Sequence, residues 1–403
     1  MEESKLQNVE SGLASGQEFE DLDTTKNSIL YRIFHGTRRS REPLSLSVGI
    51  TIYFSLLMVT LLPLSLTAYF DLQTLSAPSQ NLKLPFLSDW NVFFMFIVSL
   101  PWLAIYSVTD HFTLTSGVIK IVRGKILLIS AVEAKALIKS WNARFTNRNL
   151  AGQVLGVVIG LLVACANYAV YSDPRVGYWI LKDTQWSLTG WVYLYCIFLF
   201  YWIVTVYLLR IFMMSTFLRD AVERAQIRVV PFHPDRCGGL RPVGTFGLRH
   251  QYLLSVLGIN LLILVFVYPL YLTINPKLSA LILVAAIAFI VFGPAVLFNA
   301  LLPFHRGMMR YKAKLSEDVA HELQHELDNI RDKLKLGPVL KEDEESFERL
   351  RKIANVVEDL PDWPFDKRML GKLLTAYLGP VTTLITLLGK FSWVLAILDK
   401  FTK

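Results

Sequence analysis

The stretch LSVGITIYFSLLMVTLLPLSLTAY, residues 46–69, contains no charged side chain and no histidine. A helix of roughly 20 apolar residues is the length that crosses the hydrocarbon core of a bilayer. Hydrocarbon offers backbone N–H and C=O groups no partner, so a spanning segment must satisfy them internally, as a helix does. Read this way, residues 46–69 decide the fold class, because five further blocks repeat the pattern: 91–109, 150–171, 188–209, 252–274 and 279–302. None of these blocks carries Asp, Glu, Lys, Arg or His in its interior.

Composition agrees. Of 403 residues, 53% are hydrophobic and 18% charged, where a soluble domain has about a quarter charged. Trp90, Trp102, Tyr171, Trp179, Trp186 and Trp191 crowd the block ends, the pattern of an interfacial aromatic belt. Of the 41 Lys and Arg, 37 fall in 1–43, 109–148, 210–250 and 304–403, and only 4 in the alternate connections. The positive-inside rule then puts both termini in the cytoplasm. The expected fold is all-α: a polytopic integral membrane protein with six transmembrane helices, N-in and C-in, plus cytoplasmic amphipathic helices.

The net charge of +8 points to anionic lipid headgroups at the cytoplasmic face, in addition to the bilayer itself. No basic patch interleaved with aromatics suggests nucleic acid. Cys165, Cys196 and Cys237 are too scattered for a disulfide framework. No cofactor is implied.

The expected division of the chain has four parts. Residues 1–43 form a disordered N-terminal segment, basic near its end at YRIFHGTRRSRE (31–42). Residues 44–303 form the six-helix domain, with cytoplasmic loops 110–148 and 210–250. The 110–148 loop reads either as an amphipathic helix on the inner leaflet or as a continuation of a bundle helix, because Ile119, Val122, Ile126, Ile129 and Val132 recur near helical spacing. Residues 304–367 form a cytoplasmic helical hairpin: Leu315, Val319, Leu323, Leu327, Ile330 and Leu334 make one apolar stripe, and a second helix follows at 343–360. This hairpin is a candidate surface for homo-oligomerisation. The segment 368–403, apolar but interrupted by Gly379-Pro380, is expected to be re-entrant or interfacial.

Two motifs carry chemistry. His321-Glu322-Leu323-Gln324-His325 matches HExxH, in which two His one helical turn apart bind zinc and the Glu polarises a water. The apolar stripe at Leu323 puts both His on the opposite, solvated face, so His321 and His325 are weak metal candidates and a metallopeptidase is the third-ranked function. The second motif is VVPFHPDRCGGLRPVG, residues 229–244. Gly238-Gly239 allows positive φ, and His233, Asp235 and Cys237 alternate, so an extended backbone would put them on one side. His233, Asp235, Arg236, Cys237, Gly238 and Gly239 are therefore the candidate ligand-binding residues; the competing reading is a rigid turn held by Asp235.

Residues 231–240, PFHPDRCGGL, together with LPDWPFD at 360–366, resemble a family of uncharacterised bacterial multi-pass inner-membrane proteins. The resemblance implies the localisation and topology and carries no activity or site with it. The blocks hold no ionisable residue, which argues against a proton-coupled carrier. Pro63, Pro101, Pro269 and Pro294 could kink helices one, two, five and six. The expected function is a channel or permeability effector for ions or small solutes, and not an enzyme. The alternative is a signalling or scaffold protein that binds a ligand or partner through its cytoplasmic loops.

Overall fold

The computed structural model describes residues 13–25, 28–35, 46–71, 85–172, 178–182, 185–267, 276–336 and 341–388. Six helices among them are long and apolar enough to cross a membrane, and the chain is an all-α multi-pass membrane protein. They are α1 (Leu46–Phe70), α2 (Trp90–Arg123), α3 (Ala131–Tyr171), α4 (Leu188–Arg224), α5 (Arg241–Val267) and α6 (Pro276–Leu336). Two more helices follow, α7 (Lys341–Glu358) and α8 (Lys367–Leu388).

Local chemistry marks the breaks. α1 is interrupted at Thr60, whose hydroxyl bonds back to the Leu56 carbonyl at 2.7 Å, three residues ahead of Pro63. α2 contains a π turn at Met95–Ser99 immediately before Pro101. Proline supplies no N–H, and a slip of the hydrogen-bond ladder is one way to accommodate the loss.

The spanning helices are longer than a bilayer is thick. α3 has 41 residues and α4 has 37. At about 1.5 Å per residue each is about twice as long as the roughly 30 Å hydrocarbon core. Their overhangs build a second core at the basic end of the bundle, where Trp141, Phe145 and Phe217 pack with Ile126, Leu240 and Phe304. The 110–148 stretch is therefore the end of α2, a turn and the start of α3. The continuation reading holds, and Leu137, Ile138, Trp141 and Phe145 are the buried stripe.

α3 and α4 lie close because Gly152, Gly156 and Gly160 form a small-residue seam with a spacing of four. A Cβ at Gly156 would stand 2.7 Å from the Trp202 ring, and one at Gly160 would stand 2.9 Å from the Phe198 carbonyl oxygen. Close backbone approach is how helices associate where no hydrophobic driving force separates protein from lipid. Gly160→Leu should cost about 1–3 kcal/mol through overpacking. The check is thermal unfolding of the purified variant, with Gly49→Leu, whose Cβ meets nothing within 4 Å, as the control.

Two short antiparallel pairs complete the frame: β1 (Leu127–Leu128) with β4 (Gln226–Ile227), and β2 (Leu181–Lys182) with β3 (Gln185–Trp186). At the opposite, aromatic end, Asp89 is buried and accepts from the Tyr178 hydroxyl and from Trp179 Nε1. Trp90, Trp102 and Trp191 are exposed as a belt requires, whereas Tyr171 and Trp179 are core residues.

The N-terminal segment differs from the expected disordered tail. Residues 13–25 lie against the overhanging core with Phe19 and Leu22 buried, and Asn142 bonds both Asp23 and Asp21. Two isolated apolar residues in an acidic stretch make no periodic signal, so composition alone reads as a tail.

At the other end of the chain, α6 is continuous through Pro294 and Pro303, so the charged helix is an extension of the sixth span, and α7 packs against it. α8 runs unbroken through Gly379-Pro380 to Leu388 and lies along α5. Tyr377 donates to the Ile290 carbonyl at 2.6 Å and Val381 joins the membrane-depth core. Residues 389–403 lie outside the described residues, as do Pro269 and residues 1–12 and 36–45.

Candidate functional site

Residues 231–240 are folded as consecutive turns, not extended, and 241–244 begin α5. Phe232, Arg236, Gly238 and Gly239 all have positive φ, at 58°, 57°, 63° and 93°. Asp235 organises them. Its Oδ1 accepts the N–H of Cys237 at 2.9 Å and of Gly239 at 3.0 Å, and its Oδ2 accepts the N–H of Arg241 at 3.1 Å, the first residue of α5. His233 Nδ1 approaches the same carboxylate at 2.7 Å. Burial opposes ionisation of Asp235, but these backbone donors and His233 outweigh it and hold the carboxyl below its ordinary 3.8.

A carboxyl whose folded value is lowered stabilises the fold above its unfolded value, and that contribution disappears as pH falls through the lowered one. Asp235→Asn should therefore cost stability by a constant amount between about pH 5 and 8, with the gap to wild type closing only in acid. Unfolding midpoints of both proteins across pH provide the check.

The alternation of His233, Asp235 and Cys237 does not place them together. His233 is half-exposed, whereas Cys237 is buried beneath the turns, and burial pushes its thiol up to about 12. A thiol so held is a packing residue. Gly238 and Gly239 are there for space as well as for φ: a Cβ would meet Val229 at 2.3 Å and Ile126 at 2.0 Å respectively. Arg236 is exposed.

The loop rests on two neighbours. On one side Arg228 N–H bonds the Ile126 carbonyl at 2.8 Å. On the other is the WPFD segment: a Cβ at Gly244 would fall 2.1 Å from the Pro364 carbonyl oxygen. The ring of Trp363 stacks on His305 at 4.0 Å. Residues 231–240 and 360–366, more than 100 positions apart in the chain, are packed against each other: a Cβ at Gly238 would fall 3.6 Å from Pro361 Cγ.

Between the loop and α2 opens a pocket of ≈470 Å³. His233, Asp235 and Gly239 form its loop wall, and α2 contributes Thr113, Ser116 and Lys120; Arg241 and Thr245 come from α5. All the oxygens of Asp235 are engaged, while neither Lys120 nor Arg241 has an ion-pair partner among the described residues. The uncompensated charge of the pocket is positive, and its cations are the donors an oxyanion requires; the Thr113 and Ser116 hydroxyls donate to carbonyls of their own helix.

One turn deeper lies a cluster that the block reading misses. Asp110, on α2, is 1% exposed. Its Oδ1 is 3.2 Å from Arg249 Nε and its Oδ2 is 3.3 Å from His250 Nε2, both on α5. His250 Nδ1 donates to the Phe246 carbonyl at 2.7 Å. A carbonyl only accepts, so the hydrogen of that contact sits on Nδ1.

Arg249 also binds the hydroxyls of Thr109 and Thr113, and its guanidinium lies 4.2 Å over the Tyr106 ring. Thr113 belongs to the pocket wall as well, so pocket and cluster share a side chain. Buried Arg210, on α4, donates to the Ser107 carbonyl and to Thr24 Oγ1, which ties the N-terminal segment into the same region. Beside His250, a water-sized cavity of ≈10 Å³ is lined by Ser215 and Gln251, whose side-chain polar atoms have no partner among the described residues.

These charges escape a hydropathy reading because each sits at an edge. Asp110 directly follows the block 91–109, Arg210 directly follows 188–209, and Arg249 and His250 precede 252–274. Edge charges read as snorkelling anchors. Only helices that continue past the membrane turn those positions inward.

The HExxH residues take no part. His321, Glu322 and His325 are exposed on the extension of α6, and His325 pairs with Asn329 at 3.2 Å. Among the described residues no three His, Cys, Asp or Glu side chains come together as a metal site would require.

No family model, curated protein or solved structure matches the chain.

Proposed function

We propose that this is a ligand-responsive membrane protein that receives a phosphate-bearing anion in the pocket between the 229–244 loop and α2. The single observation that carries this reading is the pair of unpartnered cations, Lys120 and Arg241, on a pocket whose only carboxylate is saturated by its own loop. Two cations, an imidazole and the Thr245 hydroxyl around one volume suit an oxyanion such as phosphate. Among the expected functions this favours the signalling or scaffold class. The bias of basic residues supports placing this end at the cytoplasmic face of the membrane.

A permeability role is the second reading. It is favoured by the position of the Asp110–Arg249–His250 cluster between α2, α4 and α5, where its parting would loosen the bundle interior. Flux through proteoliposomes with and without phosphate tests it.

The direct test of the first reading is calorimetric titration of the purified protein with inorganic phosphate at low ionic strength. Lys120→Gln and Arg241→Gln should each weaken binding by about tenfold, and added salt should weaken it for wild type. Equal affinity in all three proteins contradicts the pocket.

A further inference from the structure

A second cavity lies on the same face of α2. It has a volume of ≈450 Å³ and is lined by Leu46, Gly49, Ile50, Tyr53 and Phe54 of α1 with Ile105 and Thr109 of α2. Its walls are almost wholly apolar, and Leu46, Ile50 and Phe54 are exposed at membrane depth. On α2 the two cavities are lined by Ile105, Thr109, Thr113, Ser116 and Lys120, with Gly117 beside Ser116. Successive steps of three or four place them in one row along a helix. The two cavities therefore succeed one another along one face of α2, apolar in the span and cationic at its basic end.

Arg249 marks the junction. One guanidinium nitrogen binds Thr109, which lines the apolar part, and another binds Thr113, which lines the cationic part. A face that passes over about three helical turns from apolar walls at Ile105 and Thr109 to the free cations Lys120 and Arg241 is complementary to an amphiphile whose chain lies in the hydrocarbon and whose anion lies at the membrane edge. Each cavity is within the range of about 300–1,000 Å³ typical of small-molecule sites.

We propose that the occupant is a single anionic phospholipid. Its phosphate engages Lys120, Arg241, His233 and Thr245, and one acyl chain lies along Gly49, Tyr53 and Ile105. This rests on the anion-pocket reading above and adds the identity of the ligand as a membrane lipid. Thr113 and Arg249 lie directly under the headgroup, so lipid occupancy bears on the Asp110 cluster. Gly49 is the natural probe of the chain half: a Cβ there meets no protein atom within 4 Å, so a large side chain fills the apolar cavity without disturbing the packing.

The experiment uses the full chain in phosphatidylcholine nanodiscs. Phosphatidylglycerol retention is measured by mass spectrometry of the released lipid, and glycerol 3-phosphate affinity by calorimetry. Wild type should retain phosphatidylglycerol at least about tenfold over its mole fraction in the disc, and bind soluble glycerol 3-phosphate at least about tenfold more weakly. Gly49→Phe, and independently Ile50→Trp, should lower phosphatidylglycerol retention by about tenfold while leaving glycerol 3-phosphate affinity unchanged; Lys120→Gln should lower both. Retention of phosphatidylglycerol no better than phosphatidylcholine, or retention untouched by both cavity variants, overturns the lipid assignment. Glycerol 3-phosphate binding that persists in that outcome leaves the anion pocket standing. Loss of binding to both probes removes the pocket as well.

Discussion

Asp110→Asn should destabilise the folded bundle by about 3–5 kcal/mol, the cost of breaking a buried ion pair from one side. The substitution is nearly isosteric, so the loss is electrostatic: it strips the counter-charge from Arg249 at 3.2 Å and leaves the His250 contact without its carboxylate. Arg249 would keep its threonine bonds and the Tyr106 ring, but no anion. The double variant Asp110→Asn/Arg249→Gln should therefore lose less than the sum of the singles, with a coupling of about 1–3 kcal/mol. Chemical or thermal unfolding of the four proteins in one detergent closes the cycle. Additive losses would mean that the two side chains do not act as a pair.

Gly239→Ala is expected to be the most damaging methyl group in the cationic loop. The residue sits at φ +93°, and its Cβ would stand 2.0 Å from Ile126 Cδ1. An L residue held at positive φ costs about 1–2 kcal/mol, and overpacking adds about 1–3 kcal/mol. Ile126→Ala relieves the overlap but not the dihedral strain. The double variant should accordingly cost less than the sum of the single variants and still lie about 1–2 kcal/mol below Ile126→Ala alone. Unfolding midpoints supply the energies. Phosphate titration of the same proteins shows whether the pocket wall moves with the turn.

Legibility differed by the kind of signal. The apolar blocks located every spanning helix, because hydrocarbon imposes its demand on a continuous run of residues. The fate of the blocks' flanks was not legible. Whether Asp110, Arg210 and His250 face headgroups or each other depends on how far α2, α4 and α5 continue, and the pairing of Asp110 with His250 spans 140 positions.

For the 229–244 loop, Gly238-Gly239 correctly announced positive φ, and Asp235 announced a turn. The extended alternation of His233, Asp235 and Cys237 failed because three prolines and two glycines impose turns, which rotate Cys237 into the core. Lys120 and Arg241, the two cations of the pocket, carried no motif at all. They meet because α5 starts beside the end of α2, a fact of packing rather than of local sequence.

The account stands on the coupling of the cationic pocket to the buried cluster through Thr113 and Arg249. Hydrogen–deuterium exchange of the purified protein, with and without inorganic phosphate, measures it directly. The prediction is slower exchange not only in peptides covering 233–245, where the anion would sit, but also in those covering 105–114 and 246–255, which hold Asp110 and His250. Protection confined to the loop, or none, would contradict it.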